Sequence, residues 1–198
     1  LWGFDQAWKS DIMALGMYHG PTVIRDDNIY DGWFPAHGAD AGVAFVNKGD
    51  DRYIYASPWG LARYTRSTSR SVGPASTTIA HIYRGRNDMN DPNYYEKTYG
   101  SNGNKIMIST NNAATFDNSY SFQNNVSDYF VAMSDNNIVY CRAGNIIMKS
   151  IDGGLNWTNV SPTSIIAGQN ISHMAIDAAN PSNLWVTFGG KQSVVKVG

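Results

Sequence analysis

Tyr129-Phe-Val-Ala-Met-Ser-Asp-Asn-Asn-Ile-Val-Tyr140 decides how this chain is read. An apolar run rich in strand-forming residues meets a polar turn of Ser, Asp and Asn. A second apolar run carrying an aromatic follows. The same order of parts occurs in Gly42–Tyr55, in Ile79–Tyr83 leading to Asp91–Tyr95, and in Ile171–Trp185. Placing Tyr53, Tyr94, Ile138 and Leu184 at one position gives periods of 41, 44 and 46 residues. A third short run follows in the first three units and leads to a serine: Ser67, Ser109 and Ser150, 42 and 41 residues apart. Two measures of the period agree.

A period of about 40–45 residues with four short strands per unit predicts an all-β chain of β-propeller blades, each a four-stranded antiparallel sheet. A single blade cannot bury both faces of its sheet, so its neighbours must cover them. Val43 and Phe45, and likewise Val131 and Met133, are expected on one face, with the small Ala44 and Ala132 between them. Residues before 42 read as the last strands of an earlier blade, built from Ile12–Tyr18, Thr22–Ile24 and Trp33-Phe34. One propeller domain over residues 1–198 is expected, with blade units near 1–41, 42–78, 79–125, 126–170 and an incomplete 171–198. Both ends of the sequence fall inside the repeat. The expectation is therefore four to five blades of a larger ring of about seven.

Composition agrees with strands and turns. The chain holds 20 Asn, 19 Gly and 18 Ser, but only seven Lys and the single Glu96, so helix surfaces have little to be built from. A net charge of −1 gives no bulk attraction for nucleic acid or an anionic membrane. Arg63, Arg66, Arg70, Arg84 and Arg86 form the one basic stretch, readable as a solvated rim or as a patch for an acidic glycan. One cysteine, Cys141, excludes an internal disulfide framework and a cysteine-ligated zinc site. It reads as a small buried apolar residue of a strand. No apolar run reaches membrane-spanning length. Few Cys, many Asn and little Lys or Glu fit a secreted or cell-surface protein.

Ser150-Ile-Asp152-Gly-Gly154-Leu-Asn-Trp157 follows the pattern Ser-x-Asp-x-Gly-x-x-Trp. It sits where a third strand turns into a fourth. Asp152 is suited to accept turn N–H groups, Gly153 and Gly154 to supply positive φ, and Trp157 to pack back over the blade. Ser109-Thr-Asn111-Asn-Ala113-Ala-Thr-Phe116 is the same box decayed, and Ser67-Thr-Ser69 is a further decayed copy. With these motifs the chain resembles the Asp-box (BNR-repeat) β-propellers, a group that includes sialidases, xyloglucan-active glycosidases and sortilin-type domains. The box at 150–157 combined with Met174–Val186 is similar to large secreted proteins of Bacteroidota, which often use type IX secretion. In that family the box is a structural turn on the face opposite the binding face.

The binding face is then expected among loops that enter each innermost strand: His37–Gly42, Val72–Thr78, Phe122–Val126 and Ser161–Asn170. Asp40, flanked by Gly38 and Gly42, resembles the Gly-Gly-Asp-Gly loop of such propellers. His19, Trp33, His37 and Asp40 are the candidate ligand-binding patch, with Trp33 to stack on a sugar ring and Asp40 to bond its hydroxyls. Asp40 also reads as a capping residue of its own Gly-rich turn. A glycosidase needs two carboxyls flanking one bond; Asp40 is the weak catalytic candidate, and a partner acid would lie in further blades. A sialidase would need an Arg-Ile-Pro signature, which is absent. No metal or cofactor is expected: His19, His37, His81 and His173 lack ligand spacing, no nucleophile elbow occurs, and Gly100–Gly103 reads as a hairpin turn rather than a phosphate loop. Asp177 reads as a turn residue. The leading reading is a non-catalytic extracellular propeller module that binds a glycan or protein ligand, with secretion or surface-assembly partners. The alternative is a xyloglucanase-like glycoside hydrolase using two Asp.

Overall fold

A computed structural model describes residues 3–7, 10–26, 30–37, 44–47, 53–56, 62–65, 73–75, 86–87, 98–132, 134–135, 137–162, 170–177, 179–189 and 194–197. No helix occurs among them. Among the described residues, nineteen strands form five antiparallel sheets. The first holds β1 (Gly3–Gln6), β2 (Ile12–Gly16), β3 (Thr22–Asp26) and β4 (Tyr30–His37). The second holds β5 (Ala44–Val46), β6 (Tyr53–Ala56), β7 (Ala62–Thr65) and β8 (Gly73–Ala75). The third holds β9 (Arg86–Asn87), β10 (Thr98–Asn102), β11 (Lys105–Ser109) and β12 (Asn118–Ser121). The fourth holds β13 (Val126–Val131), β14 (Val139–Ala143), β15 (Ile146–Ser150) and β16 (Thr158–Asn159). The fifth holds β17 (Ile171–Ile176), β18 (Leu184–Phe188) and β19 (Val194–Val197). Strands follow one another in chain order within each sheet, the up-and-down meander of a propeller blade. First strands lie together: β1 against β5, β9 against β13, and β13 against β17.

Three details differ from the sequence reading. Residues before 42 supply a full four-stranded sheet rather than the last strands of one, because Gly3–Gln6 pairs with β2. Gly73–Ala75 is the outer strand of the second sheet, not part of an entering loop. Gly100 and Ser101 lie inside β10, and the hairpin turn is Gly103-Asn104, where Gly103 has φ 56°. Ser67, Tyr94, Val43 and Met133 lie outside the described residues.

Side-chain alternation distributes each strand between two interfaces. In β5, Ala44 and Val46 join Ala14, Ile24 and Ile54 between the first two sheets, while Phe45 joins Tyr55 and Ala113 between the second and third. In β14, Val139 and Cys141 pack toward the third sheet, and Tyr140 toward the fifth with Met174 and Leu184. Burial is consequently nearly continuous along these strands, since both faces of a middle sheet are covered. The Cys141 thiol is fully buried, and that burial pushes its pKa well up, so it serves as an apolar filler.

A repeated tyrosine fastens sheet to sheet. A bond from the residue after a first strand to the residue at or just before the start of the second recurs as Asn47 N–H to Tyr53 O, Ala132 to Ile138 and Asp177 to Asn183. Thr98 faces Ser109 as Val139 faces Ser150. These registers make Tyr55, Tyr99, Tyr140 and Trp185 equivalent, 44, 41 and 45 residues apart. The frame set by Tyr53 and Ile138 holds, but its third-sheet member falls at Lys97 rather than Tyr94 and its fifth-sheet member is Asn183 rather than Leu184. Each tyrosine reaches into the next sheet. Tyr55 donates to Asn112 O at 3.2 Å, Tyr99 to Gly153 O at 3.1 Å and Tyr140 to Pro181 O at 2.9 Å. Burial pushes the Tyr55 hydroxyl up to about 12, so it remains a donor.

The acceptors Asn112 and Gly153 belong to matching turns, from β11 to β12 and from β15 to β16. In the second, Ser150 Oγ donates to Asp152 Oδ1 at 2.7 Å and accepts Gly154 N–H at 2.8 Å. Asp152 Oδ1 accepts the N–H of Leu155 and of Asn156, and Asp152 Oδ2 accepts Asn156 Nδ2. Trp157 Nε1 donates to Gly154 O at 2.8 Å. In the first, Ser109 Oγ donates to Asn111 Oδ1 at 2.9 Å and accepts Ala113 N–H at 2.9 Å, and Asn111 Oδ1 accepts Thr115 N–H. Asn112 and Ala113 hold φ of 56° and 61°, where Gly153 and Gly154 hold 71° and 93°. The backbone keeps the left-handed pair although both glycines are gone, because a buried tyrosine reads its carbonyl.

Two predictions follow from this fastening. Tyr99→Phe removes one buried hydrogen bond and lowers stability by about 1–2 kcal/mol. Gly154→Ala puts a Cβ at φ 93°, 3.1 Å from Ile108 Cδ1 and 3.4 Å from the Tyr99 ring, and costs about 1–3 kcal/mol. Both are read as a lower urea midpoint with an unchanged slope; an unmoved midpoint in Tyr99→Phe means the latch contributes nothing. Asp152 is held down to about 2, chiefly by the Asn156 N–H and amide and by Ser150. Its ordinary value is near 4. Its contribution is therefore present above pH about 4 and is lost as pH falls toward about 2. Asp152→Asn, whose geometry Asn111 already shows to fit, is expected to melt with a shallower loss across that window.

Candidate binding site

Each sheet has two ends. At one lie the turns from first to second and from third to fourth strand, including the Ser150–Trp157 turn. Gly153 N–H donates to Asn137 O there, tying the two turns together. At the other end lie the turns from second to third strand and the links that enter the next sheet. This second end is also tied across sheets: Val126 N–H donates to Gly103 O, Gly144 N–H to Asn125 O, and Ile171 N–H to Asn145 Oδ1 at 2.7 Å.

The candidate patch of the first sheet is divided by this geometry. His19 lies in the Met17–Pro21 turn with φ 55°, its ring stacked on Tyr18 at 3.9 Å. His37 ends β4 opposite Thr22, which begins β3, so the backbone brings His19 and His37 to the loop-bearing end. Trp33 pairs with Arg25 and sits four residues back from His37, roughly 13 Å along the strand at ~3.3 Å per residue. Phe34 packs toward the second sheet, so Trp33 faces away from it, 41% exposed. Trp33 is therefore on the outer face of the sheet rather than beside the histidines. Asp40 lies outside the described residues.

Of the basic stretch, Arg63 is committed to fold. Its guanidinium donates to Asn111 O and Asn112 O at 3.1 and 3.0 Å and covers the Tyr53 ring at 4.9 Å. Arg66, Arg70 and Arg84 lie outside the described residues, and Arg86 is placed only as backbone of β9. Several acids hold backbone, and Asp128 holds a part-buried arginine. Asp5 accepts Val46 N–H, joining the first two sheets, and Asp177 accepts Ala179 and Asn180 N–H in its turn. Asp128 accepts both Arg142 Nε and Nη2, while Arg142 Nη1 reaches Ile171 O of the fifth sheet at 2.7 Å. Among the described residues no group of three or more His, Cys, Asp or Glu is placed to hold a metal. No helix there is long and apolar enough to cross a membrane.

The loop-bearing end holds a cleft between the outer strands of the third and fourth sheets, of about 250 Å3. Tyr120 and Phe122 line one wall, Ile146 and Met148 the other, and Asn124 and Asn159 the rim. Trp157 buttresses the aromatic wall, edge-on to Phe122 at 5.3 Å. The Phe122–Val126 link is one of the entering loops read from sequence, but Tyr120, Met148 and Asn159 carry no signal of their own. They meet only when two sheets, about 40 residues apart in sequence, are stacked.

No protein-family model matches this chain, and no curated protein sequence matches it. Solved structures do. An ancestral GH74 enzyme superposes with a TM-score of 0.67 at 14% identity, over 95% of this chain and 29% of its own. The β-propeller domain of Cps50 (Swd1) from Myceliophteria thermophila gives 0.68 at 8% identity, over 98% and 69%. A chain of the COPII outer coat vertex on membranes gives 0.70 at 11% identity, over 98% and 57%. This chain thus spans under a third of the GH74 enzyme and somewhat over half of the coat protein. Five chain-ordered antiparallel sheets packed face to face, matched along almost their whole length by these structures, give the chain a β-propeller fold.

Proposed function

We propose that this chain is a non-catalytic β-propeller binding module of a larger secreted or cell-surface protein, presenting its loop-bearing end to a glycan or protein ligand. The observation that carries the reading is the division of labour between polar groups. The carboxylates of Asp5, Asp128, Asp135, Asp152 and Asp177 all accept from backbone or from a part-buried arginine. The cleft at the loop-bearing end is lined by amides, aromatics and aliphatics. The Ser150–Trp157 turn supports kinship with Asp-box propellers, and the Asn-rich, Lys- and Glu-poor composition supports an extracellular setting.

Two sheet faces support the larger assembly. Trp185 occupies the latch position of the fifth sheet and is 43% exposed, where Tyr55, Tyr99 and Tyr140 are buried against a following sheet. Phe4, at 54% exposed, and Trp33 lie on the outer face of the first sheet. Likeness to the GH74 enzyme favours a second reading, a xyloglucanase-like hydrolase with Asp40 as one acid and its partner in further blades.

The test is incubation with a panel of plant and host glycans, following retention and release of reducing ends separately. Binding without release is expected. Release that disappears in Asp40→Ala establishes the hydrolase in its place.

A further inference from the structure

We infer that the cleft between the third and fourth sheets is a binding site for a single neutral sugar residue of a glycan; this deepens the proposed binding role and rests on its glycan arm. Size is the first argument. About 250 Å3 holds roughly eight waters at ~30 Å3 each. That is room for one sugar ring, and it is below the ~300–1,000 Å3 of sites that enclose larger ligands.

Chemistry is the second argument. Among the described residues, no Asp, Glu, Lys, Arg or His lines the cleft. A charged sugar, uronic or sialic, would bring its charge against an aliphatic and aromatic wall with no counter-charge to meet it. A neutral sugar suits both surfaces. Its C–H face packs on the Tyr120 and Phe122 rings, and its hydroxyls meet amides that both donate and accept. Tyr120 and Phe122 lie 4.9 Å apart, and both touch Trp157, so the wall is fixed before ligand arrives.

Placement of the amides is the third argument. Asn124 lies flat over Gly144: a Cβ there would come within 2.8 Å of Asn124 Cβ. Gly144 holds φ 62° and donates its N–H to Asn125 O, so the link and the turn are locked together under that amide. On the other side, Asn159 accepts Ser161 N–H through Oδ1, which directs its remaining polarity, the amide nitrogen, to donation. Gln123 is exposed at the mouth.

The experiment titrates the chain with neutral methyl glycosides, with sialic and glucuronic acid, and with an extended peptide of mixed sequence. Amide chemical shifts report the site. Asn124→Ala and Tyr120→Phe are the variants, and Trp33→Ala is the control on a remote surface. Asn124 is exposed, so its variant keeps the melting temperature. A neutral glycoside that shifts amides of residues 120–124 and 143–148, and binds Asn124→Ala about tenfold more weakly, bears the inference out. Tyr120→Phe keeps the ring and loses only the phenol, so a smaller loss there is expected. Glycoside binding unchanged in Asn124→Ala but weakened in Trp33→Ala overturns this site and leaves the binding module standing. Preference for the acidic sugars overturns the neutral class. Peptide binding with no sugar binding overturns the sugar and leaves the protein arm of the proposed function. No binding by any probe, together with release of reducing ends from polysaccharide, overturns both.

Discussion

A tyrosine hydroxyl buried between two sheets, donating to a turn carbonyl of the next, is the contact on which this architecture depends. Sheet stacking is driven by apolar burial, which has no direction of its own. Aliphatic clusters such as Ile106, Ile108 and Val139 would tolerate sliding by a residue or two. A hydrogen bond does not, because a buried hydroxyl displaced from its partner loses more than the bond is worth when made. Tyr55, Tyr99 and Tyr140 therefore act as register pins, one per interface, and the first interface substitutes Asp5 on Val46 N–H for the same purpose.

The pins explain why the turns they read are so uniform in shape and so uneven in sequence. Tyr55 and Tyr99 each recognise a carbonyl position that depends on two successive left-handed residues. Gly153-Gly154 reach it without cost, whereas Asn112-Ala113 reach it against their own preference. The third-sheet turn is held by neighbours instead. Asn112 Oδ1 accepts Asn47 Nδ2 at 2.6 Å, its carbonyl takes both Tyr55 and Arg63, and the Ala113 methyl packs with Phe45. Four contacts from the second sheet replace what glycine supplies intrinsically. Decay of the motif in sequence is thus not decay of the turn.

Fold was legible because periodicity needs no long-range information. Ser109 and Ser150 close third strands as their spacing requires, and the two boxes share the bonds made by the serine Oγ and the bond from the N–H four residues after Asn111 or Asp152. Legibility failed where the answer lay in an interface. The repeat frame slipped by one residue at Leu184 and by three at Tyr94, because neither Asn183 nor Lys97 carries an apolar side chain to mark its place. The equivalence of three tyrosines and Trp185 is invisible until registers are known. Trp33 attracted attention as an aromatic near His37, but strand alternation turns it to the outer face, and no linear reading gives that face without knowing that Phe34 turns inward. The cleft residues were the least legible of all. Asn159 and Tyr120 are unremarkable in a chain with 20 Asn and 12 Tyr.

The position of the cleft follows from wedge geometry. Sheets arranged around an axis diverge outward, so the inner strands pack with small residues and the outer strands need large ones. Met107 and Phe116 fill the outer gap between the second and third sheets, and Met148 and Trp157, 41 residues later in each case, fill that between the third and fourth. Phe116 and Trp157 close the left-handed turns and fill the gap from that end, while Met107 and Met148 lie midway along their strands, where Met148 lines the cleft. The outer gap at the opposite end is left to whatever the entering link supplies. Between the third and fourth sheets it supplies Phe122, Gln123 and Asn124, with an aromatic on the wall and amides above it. A turn motif that fastens one end of the wedge thereby determines that the opening faces the other, so fastening and binding fall at opposite ends of the same sheets.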